Sequence, residues 1–238
     1  MAPVSYLMGD YDVVQKEPAA CQERILDLCA APGGKSTQIA ARMHEMYTSG
    51  KWKEQGLLIC NEIHPARAKI LSENVERMGI ANAMVTNETP QRLAEVFEDY
   101  FTRILVDAPC SGEGMFRKNE AACEEWSPEN VSLCAERQDG ILDCAASMLA
   151  PGGRIVYSTC TFAPAENEGS MMRFLLRHPE FRIVEVKKAD GMSAGVPEWA
   201  YFGEKMGQVL PEIAQTIRLW PQHLNGEGHY LAVLEKDG

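Results

Sequence analysis

The feature of this sequence that most constrains its fold is an alternation of short apolar runs with helical patterns. Five runs rich in Ile, Leu and Val occur at residues 24–30, 56–62, 82–88, 101–109 and 153–160. Between two of them, residues 64–79 repeat apolar side chains at helical spacing and end on Gly79. Because such near-continuous strands alternate with helices, we predict a parallel sheet that is covered on both faces.

Two later runs, residues 181–187 and 229–236, complete a predicted sheet of seven strands. The stretch between them, residues 190–228, is rich in Gly and Pro, and we predict an irregular excursion there before the last strand. The expected fold class is therefore α/β, with a mostly parallel seven-stranded sheet and helices on both faces.

Composition restricts the functional classes. None of the eight cysteines forms a C-x-x-C pair, so we expect no zinc or other metal site. The chain has no export signal and no apolar run long enough to cross a membrane, and we expect a soluble protein in the reducing cytoplasm. The net charge of -11 argues against a free-standing nucleic-acid binder, because phosphate contacts need clustered Lys and Arg.

Several chemically capable residues stand where predicted strands end. They are Cys29, Glu62, Asp107, Cys110 and Cys160. In a parallel α/β sheet, ligands bind beyond the carboxyl ends of the strands. We therefore predict that one site collects all five.

The segment "DLCAAPGGKSTQIA" leads from the first strand into a helix through two glycines. A P-loop would need glycine at position 29, where this chain has Cys29, and the spacing G-x-G-x-x-G is absent. A tight turn without a ligand remains one interpretation. The other is a nucleoside cofactor that has no triphosphate to bind.

Glu62, after the second strand, favours the cofactor interpretation. An acidic side chain at this place binds ribose hydroxyls in other doubly wound folds. Taken alone, Glu62 could equally be a solvated carboxylate at a strand end. Beside the glycine loop, it favours S-adenosylmethionine, which combines a ribose, an adenine and a charged amino-acid tail.

Cys110 in "DAPCSG" and Cys160 in "YSTCT" both follow strands beside this predicted cofactor site. A thiolate can add to C6 of cytosine, which makes C5 nucleophilic toward a methyl donor. A carboxyl group such as Asp107 could hydrogen-bond N3 as the adduct forms, and a second group near C5 would help to release the product. The remaining cysteines, including Cys60, Cys123, Cys134 and Cys144, are predicted to be small inert core residues.

Four motifs identify a family. "LDLCAAPGGKS", "ILVDAPCSGEGMFRK", "WSPE" and "GGRIVYSTCT" followed by "ENE" resemble the NOL1/NOP2/Sun family of RNA 5-methylcytosine methyltransferases. The form of these motifs looks most like the bacterial ribosomal RNA small-subunit methyltransferase F branch. The resemblance covers about residues 24–168, and residues 218–234 resemble the end of that branch's catalytic domain. It implies a Rossmann-like class I fold that uses S-adenosylmethionine, and an RNA substrate, 16S ribosomal RNA above others.

The resemblance also implies roles for individual residues. Cys160 would be the nucleophile, Cys110 would assist product release, and Asp107 and Lys35 would complete the catalytic centre. The implied cofactor contacts are Cys29, Ala30, Ala31, Pro32, Gly33, Gly34, Lys35, Glu62, Thr89 and Asp107. Thr89, with Asn87 nearby, stands where the family usually has an aspartate that contacts adenine.

By the same resemblance we expect residues 24–238 to form the catalytic domain, after a lead-in at residues 1–23 from an RNA-binding segment. The chain would then be a catalytic core, either truncated or unusually short. Arg117 and Lys118 are candidate RNA contacts, whereas we predict that Trp126 lies in the core. The target cytosine must be unpaired or flipped out.

Other functions stay open at this point. The acceptor could be a transfer RNA or DNA instead of ribosomal RNA, and a DNA enzyme would use the cysteine of the Pro-Cys pair as nucleophile. A non-catalytic ribosome-assembly factor that binds S-adenosylmethionine would not need both cysteines. A nucleotide hydrolase is the weakest alternative, because Cys29 stands where a P-loop requires glycine.

Overall fold

The computed structural model describes residues 2–10, 12, 22–116, 123–124, 126–201, 209–223 and 226–238. Its strands are β1 (Arg24–Asp27), β2 (Leu57–Asn61), β3 (Ala83–Thr86), β4 (Phe101–Asp107), β5 (Leu149–Thr159), β6 (Phe181–Ile183), β7 (Met192–Ala194), β8 (Ile217–Leu219) and β9 (His229–Lys236). Its α-helices include α1 (Ala2–Met8), α2 (Gly34–Thr48), α3 (Pro65–Arg77), α4 (Pro90–Ala94), α5 (Pro128–Met148) and α6 (Glu168–Arg177). Short 3₁₀ turns occur at Glu113–Met115, Pro164–Glu166, Pro197–Tyr201 and Pro211–Gln215.

The described residues form one nine-stranded sheet in the order β3-β2-β1-β4-β5-β9-β8-β7, with β6 paired to β9. The five strands from β3 to β5 are parallel, and β9 lies antiparallel to β5. The predicted α/β class with a mostly parallel central sheet is confirmed. The order of the strands reverses between β1 and β4, and this is the point at which α/β sheets form a ligand-binding crevice.

Two strands more than predicted are present, because residues 190–228 are not wholly irregular. Within this stretch β7 and β8 pair with each other, and β8 then pairs with β9. Each is only three residues long. Segments this short among Gly and Pro carry no periodic signal, but their pairing satisfies backbone groups that would otherwise be left unbonded beside the sheet.

Both faces of the sheet are buried, which explains the unbroken apolar runs. Along β4, Ile104 belongs to the apolar cluster on one face, whereas Leu105 belongs to the cluster on the other. In β5, Ile155 and Val156 divide in the same way. Because successive side chains of a strand point to opposite faces, each strand contributes to both cores.

Helix α1, which lies within the predicted lead-in, packs against this core. Tyr6 and Leu7 are fully buried. Arg154 donates a hydrogen bond to the Tyr6 carbonyl at 3.1 Å, and Arg103 donates one to the Leu7 carbonyl at 2.6 Å. These two arginines satisfy carbonyls in the last turn of the helix, where intrahelical partners are missing. No helix in the described part of the chain has the length and apolar character of a membrane span.

Candidate active site

The loops after β4 and β5 meet at the carboxyl edge of the sheet. In the parallel register Asp107 pairs with Ser158, so the residues that follow each strand emerge side by side. The Sγ atoms of Cys110 and Cys160 lie 3.2 Å apart, and the Cys160 amide donates to Cys110 Sγ at 3.3 Å. The structure thus brings together the two cysteines that the sequence selected.

The two thiols differ in their readiness to ionise. The pKa of Cys160 is lowered, chiefly because the Cys110 thiol donates a hydrogen bond to it and also because Lys35 is near, although burial opposes this. The pKa of Cys110 is raised by its hydrogen bond to Cys160 and by burial. Cys160 therefore ionises to the thiolate more readily than Cys110, and the Cys110 thiol keeps its proton beside it.

Asp107 connects the cysteines to the glycine loop. Its Oδ2 accepts a hydrogen bond from Lys35 Nζ at 2.6 Å, and its Oδ1 accepts one from the Ser158 hydroxyl at 2.5 Å. Lys35 comes from the first turn of α2, whereas Asp107 and Ser158 come from neighbouring strands. Their mutual bonds fix the carboxylate at the junction of three elements.

A cavity of about 210 Å³ opens at the end of β1. Its lining residues are Asp27, Cys29, Ala30, Ala31, Pro32, Gly34, Lys35 and Asp107. Gly33 stands between the lining residues Pro32 and Gly34. Its φ is 109°, and a Cβ there would lie 3.1 Å from Leu71. Glycine is therefore required at this turn, which places the start of α2 against the cavity.

Asp27 lines the cavity and was missed by the sequence reasoning. It is fully buried; its Oδ2 accepts a hydrogen bond from Ser36 at 2.7 Å, while its Oδ1 has no hydrogen-bond partner among the described residues. Burial, together with the charge of Asp107, raises its pKa to about 7. An acidic residue directly before a glycine loop was the available signal. An unpartnered buried carboxylate oxygen favours a ligand that donates a hydrogen bond or carries positive charge.

Cys29 lines the same cavity as a neutral thiol. Burial and three surrounding carboxylates raise its pKa far above its usual range. The structure therefore gives Cys29 a packing role in the glycine loop and no nucleophilic role.

Glu62 and Thr89 lie at the neighbouring strand ends, outside the residues that line this cavity. Glu62 is buried; one carboxylate oxygen accepts from the His64 amide at 2.9 Å, and the other lies 3.5 Å from Arg67. The Thr89 hydroxyl accepts from the Arg92 amide and caps α4. Asn87 donates to the Glu62 carbonyl at 2.6 Å. This last bond joins the loops after β2 and β3.

The "ENE" stretch at residues 166–168 supports both cysteine loops, which its sequence did not indicate. All three side chains are fully buried. Glu166 accepts from the Ser111 amide at 3.1 Å and from Gln138 at 2.7 Å, and Gln138 also donates to the Pro109 carbonyl. These bonds fix the residues on either side of Cys110, and burial raises the pKa of Glu166.

The two residues after Glu166 secure the loop that carries Cys160. Asn167 accepts from Thr159 and donates to the Thr161 carbonyl at 3.0 Å, spanning Cys160 from both sides. Glu168 pairs with Arg218, which donates to the Phe162 carbonyl at 3.2 Å. Three consecutive polar residues thus position the chain on both sides of the Cys110 and Cys160 thiols.

Two expectations near the site are wrong. Trp126 is 38% exposed instead of buried in the core, because its indole N–H is anchored to Glu113 at 2.9 Å at the surface. Cys123 is exposed, unlike the buried Cys60 and Cys134. Arg117, Lys118 and Cys21 lie outside the described residues. In the part of the chain that is described, no group of three His, Cys, Asp or Glu side chains is placed to hold a metal ion.

Comparison with known proteins adds the following findings. Residues 17–235 match the family described as "16S rRNA methyltransferase RsmB/F". The chain is 38% identical over 238 residues to the ribosomal RNA small subunit methyltransferase F of Escherichia coli O9:H4 (strain HS), which aligns with 99% of this chain and 43% of the relative. The chain therefore spans less than half the length of that relative.

Solved structures resemble the fold over nearly the whole chain. A methyltransferase homolog protein from Pyrococcus horikoshii shares 25% identity with a TM-score of 0.73, covering 92% of this chain and 63% of that one. NSun6 from Pyrococcus horikoshii, solved with SFG, shares 24% identity with a TM-score of 0.72, covering 99% and 51%.

Proposed function

This chain belongs to the 16S rRNA methyltransferase RsmB/F family, and on that premise we propose that it methylates C5 of a cytosine in ribosomal RNA with S-adenosylmethionine, through a covalent adduct between Cys160 and C6. The observation that carries the proposal is the 3.2 Å contact of two cysteines beside a carboxylate-lined cavity. Simple cofactor binding does not need this pair, whereas formation and breakdown of a C6 adduct need a nucleophile and a group that assists its departure.

The residues around the cavity fit S-adenosylmethionine. Asp27, with its unpartnered Oδ1, suits the ammonium group of an amino-acid tail. Glu62 at the end of β2 suits ribose hydroxyls, and Thr89 after β3 is the proposed neighbour of the adenine. The loop from Cys29 to Lys35 would form the remaining contacts. When bound there, the cofactor supplies a methyl group on a positively charged sulfur.

Cys160 acts as the nucleophile in this proposal. Its lowered pKa favours the thiolate, which adds to C6 and converts C5 into an enamine-like carbon. Cys110, whose pKa is raised, holds a proton next to the sulfur that must later depart. This difference supports Cys160 over Cys110 as nucleophile and so argues against the scheme of the DNA cytosine enzymes.

Asp107 and Lys35 act together on the base. The Asp107 carboxylate, held by Lys35 and Ser158, is available to accept a hydrogen bond from the cytosine 4-amino group, and from N3 once that nitrogen is protonated in the adduct. Lys35 also brings positive charge toward Cys160 and stabilises its thiolate. Their roles are electrostatic and positional, in an environment that burial has already desolvated.

Methylation at C5 requires access to both faces of an unstacked base, so the substrate is an unpaired or flipped-out cytosine. The chain's net charge of -11 supplies little general attraction for phosphates. We propose that recognition of the RNA by this chain alone is weak and that the site itself selects the base.

The experiment that tests the proposal is analysis of the product nucleosides. Small-subunit ribosomal RNA is incubated with the chain and S-adenosylmethionine carrying a labelled methyl group, then digested and examined by mass spectrometry. We expect label in 5-methylcytidine and none with Cys160→Ala. Label on another atom, or 5-methylcytidine formed by Cys160→Ala, would contradict it.

A further inference from the structure

Release of the product requires an acceptor for one proton. After methylation, C5 of the adduct carries both the methyl group and its original hydrogen, and the hydrogen must leave as a proton before the ring regains its double bond. Cys110 holds a proton of its own, and Asp107 already accepts two hydrogen bonds. Lys35 is engaged as the cationic partner of Asp107. These groups are poorly prepared to take the proton.

His229, on the neighbouring antiparallel strand β9, lies beside the proposed nucleophile Cys160. In the antiparallel register of β5 and β9, Thr159 pairs with Tyr230, so His229 stands across from Cys160 at the carboxyl edge of β5. The contact of this segment with the Cys160 loop is close. A Cβ built at Gly114 would meet both the Gly228 carbonyl and the Cys160 carbonyl within 3 Å.

The imidazole of His229 is fixed in one tautomer. Its Nδ1 lies 3.2 Å from the Thr159 carbonyl oxygen, and because a carbonyl only accepts, Nδ1 carries the proton and donates. Nε2 is then the basic nitrogen. The side chain is 26% exposed, and the ring lies close enough to Asp107 and Lys35 for both charges to affect its pKa.

From this geometry we propose that His229 Nε2 is the base that accepts the C5 proton, an assignment that rests on the proposed function. The electrons of the C5–H bond form the C5–C6 double bond. The C6–S bond then breaks, and its electron pair returns to Cys160 as a thiolate. Cys110 stabilises that departing thiolate with the hydrogen bond seen in the free protein.

Glu227 provides the next site for the proton. Its Oε2 lies 3.7 Å from His229 Nε2, and its side chain is 27% exposed. Once His229 is protonated, the imidazolium and this carboxylate form an ion pair at the edge of the solvent. The proton can leave from there without passing back through the cysteines.

The electrostatic surroundings keep His229 ready as a base. Burial lowers its pKa, and Lys35 adds to that effect, whereas Asp107, Glu227 and the Thr159 carbonyl oppose it. Because the net direction is downward, Nε2 is unprotonated at neutral pH. Proton release from the adduct should therefore be constant at neutral pH and should fall as the solution becomes acidic.

The test follows tritium release from RNA that carries 5-³H-cytidine. His229→Asn keeps an amide that can donate to the Thr159 carbonyl but removes the base. The control is His223→Asn, at an exposed residue in the stretch that precedes β9. We expect His229→Asn to form the methylated covalent adduct normally and to release tritium about a hundredfold more slowly, as for loss of a positioned general base. His223→Asn should match the unmodified chain.

Chemical rescue distinguishes a base from a structural group. Added imidazole should restore tritium release to His229→Ala and should leave the rate of adduct formation unchanged. Release at the unmodified rate by His229→Asn, or a defect that imidazole does not restore, would overturn the assignment.

The same proteins distinguish a failure of the proposed function from a failure of the role assigned to His229. RNA containing 5-fluorocytidine cannot lose its C5 substituent as a cation, so it should accumulate a covalent complex with the unmodified chain. If no complex forms, the proposed function fails. If the complex forms and His229→Asn still releases tritium normally, only the role of His229 fails.

Discussion

Replacement of Glu168 by glutamine should destabilise the chain far more than its small chemical change suggests. The Glu168 side chain is fully buried, and Arg218 is only 2% exposed. Arg218 donates to the two carboxylate oxygens at 2.7 and 2.5 Å, and its guanidinium lies 4.8 Å from the ring centroid of Trp199. Glutamine would leave this guanidinium buried without a counter-charge and would direct an amide N–H₂ toward its donors.

The magnitude follows from the burial of the pair. Removing one partner of a buried ion pair typically costs about 3–5 kcal/mol, a large share of the roughly 5–15 kcal/mol that stabilises a domain. For a chain of this size, the melting temperature of Glu168→Gln should fall by about 6–20 °C. Replacing both partners, as Glu168→Leu with Arg218→Met, should recover most of the loss because no unpaired charge remains.

Urea denaturation and thermal melting provide the assay. The matched control is Asp237→Asn, which breaks an ion pair to Arg182 in which both side chains are more than half exposed and which should change stability by about 0–1 kcal/mol. If Glu168→Gln melts together with Asp237→Asn, the reasoning about the buried pair is refuted. The pair also secures the Phe162 carbonyl, so covalent trapping of RNA by Glu168→Gln should be slower even below its melting temperature.

Four further results are expected. The pKa of Asp27 in the folded chain, about 7, lies above the ordinary aspartate value of 3.8, so protonation of Asp27 stabilises the folded state. The ligand-free chain should lose this stabilisation as pH rises from 3.8 to about 7, whereas the stability of Asp27→Asn should not change for this reason. A cationic ligand at Asp27 should release a proton on binding below about pH 7, as calorimetry in two buffers would detect. Gln138→Leu removes the hydrogen bonds to Glu166 and to the Pro109 carbonyl, so the free energy of unfolding measured with urea should fall by about 1–3 kcal/mol. The same variant should slow product release more than adduct formation. Fluorescence anisotropy at physiological salt should show binding to short RNA weaker than about micromolar; tighter binding would contradict the inference from charge.

Much of the sheet was predictable because its central strands are buried on both faces. Strands such as β4 and β5 read as continuous apolar runs, and helix α3 between β2 and β3 has a clear period. The strands β7 and β8 were not predictable. They depend on pairing with β9 and on a salt bridge between residues 50 positions apart, for which short Gly- and Pro-rich segments give no local signal.

In the candidate site, too, some residues could be predicted from the sequence and others could not. Cys110 and Cys160 could be identified because each stands just after an apolar strand, and parallel strands end at one edge. Gln138 and Glu166 could not, since a helix residue and a 3₁₀ residue come together only through packing. His229 is the polar first residue of a strand in the sequence, and only the register of β9 against β5 places it beside Cys160.

The most direct test of the central claim is a denaturing gel of Cys110→Ala and Cys160→Ala, each incubated with S-adenosylmethionine and small-subunit ribosomal RNA. In the proposed mechanism Cys160 forms the bond to C6 and Cys110 assists its breakage, so Cys110→Ala should carry RNA through denaturation and Cys160→Ala should not. Trapped RNA on Cys160→Ala instead would reverse the two roles and contradict the account.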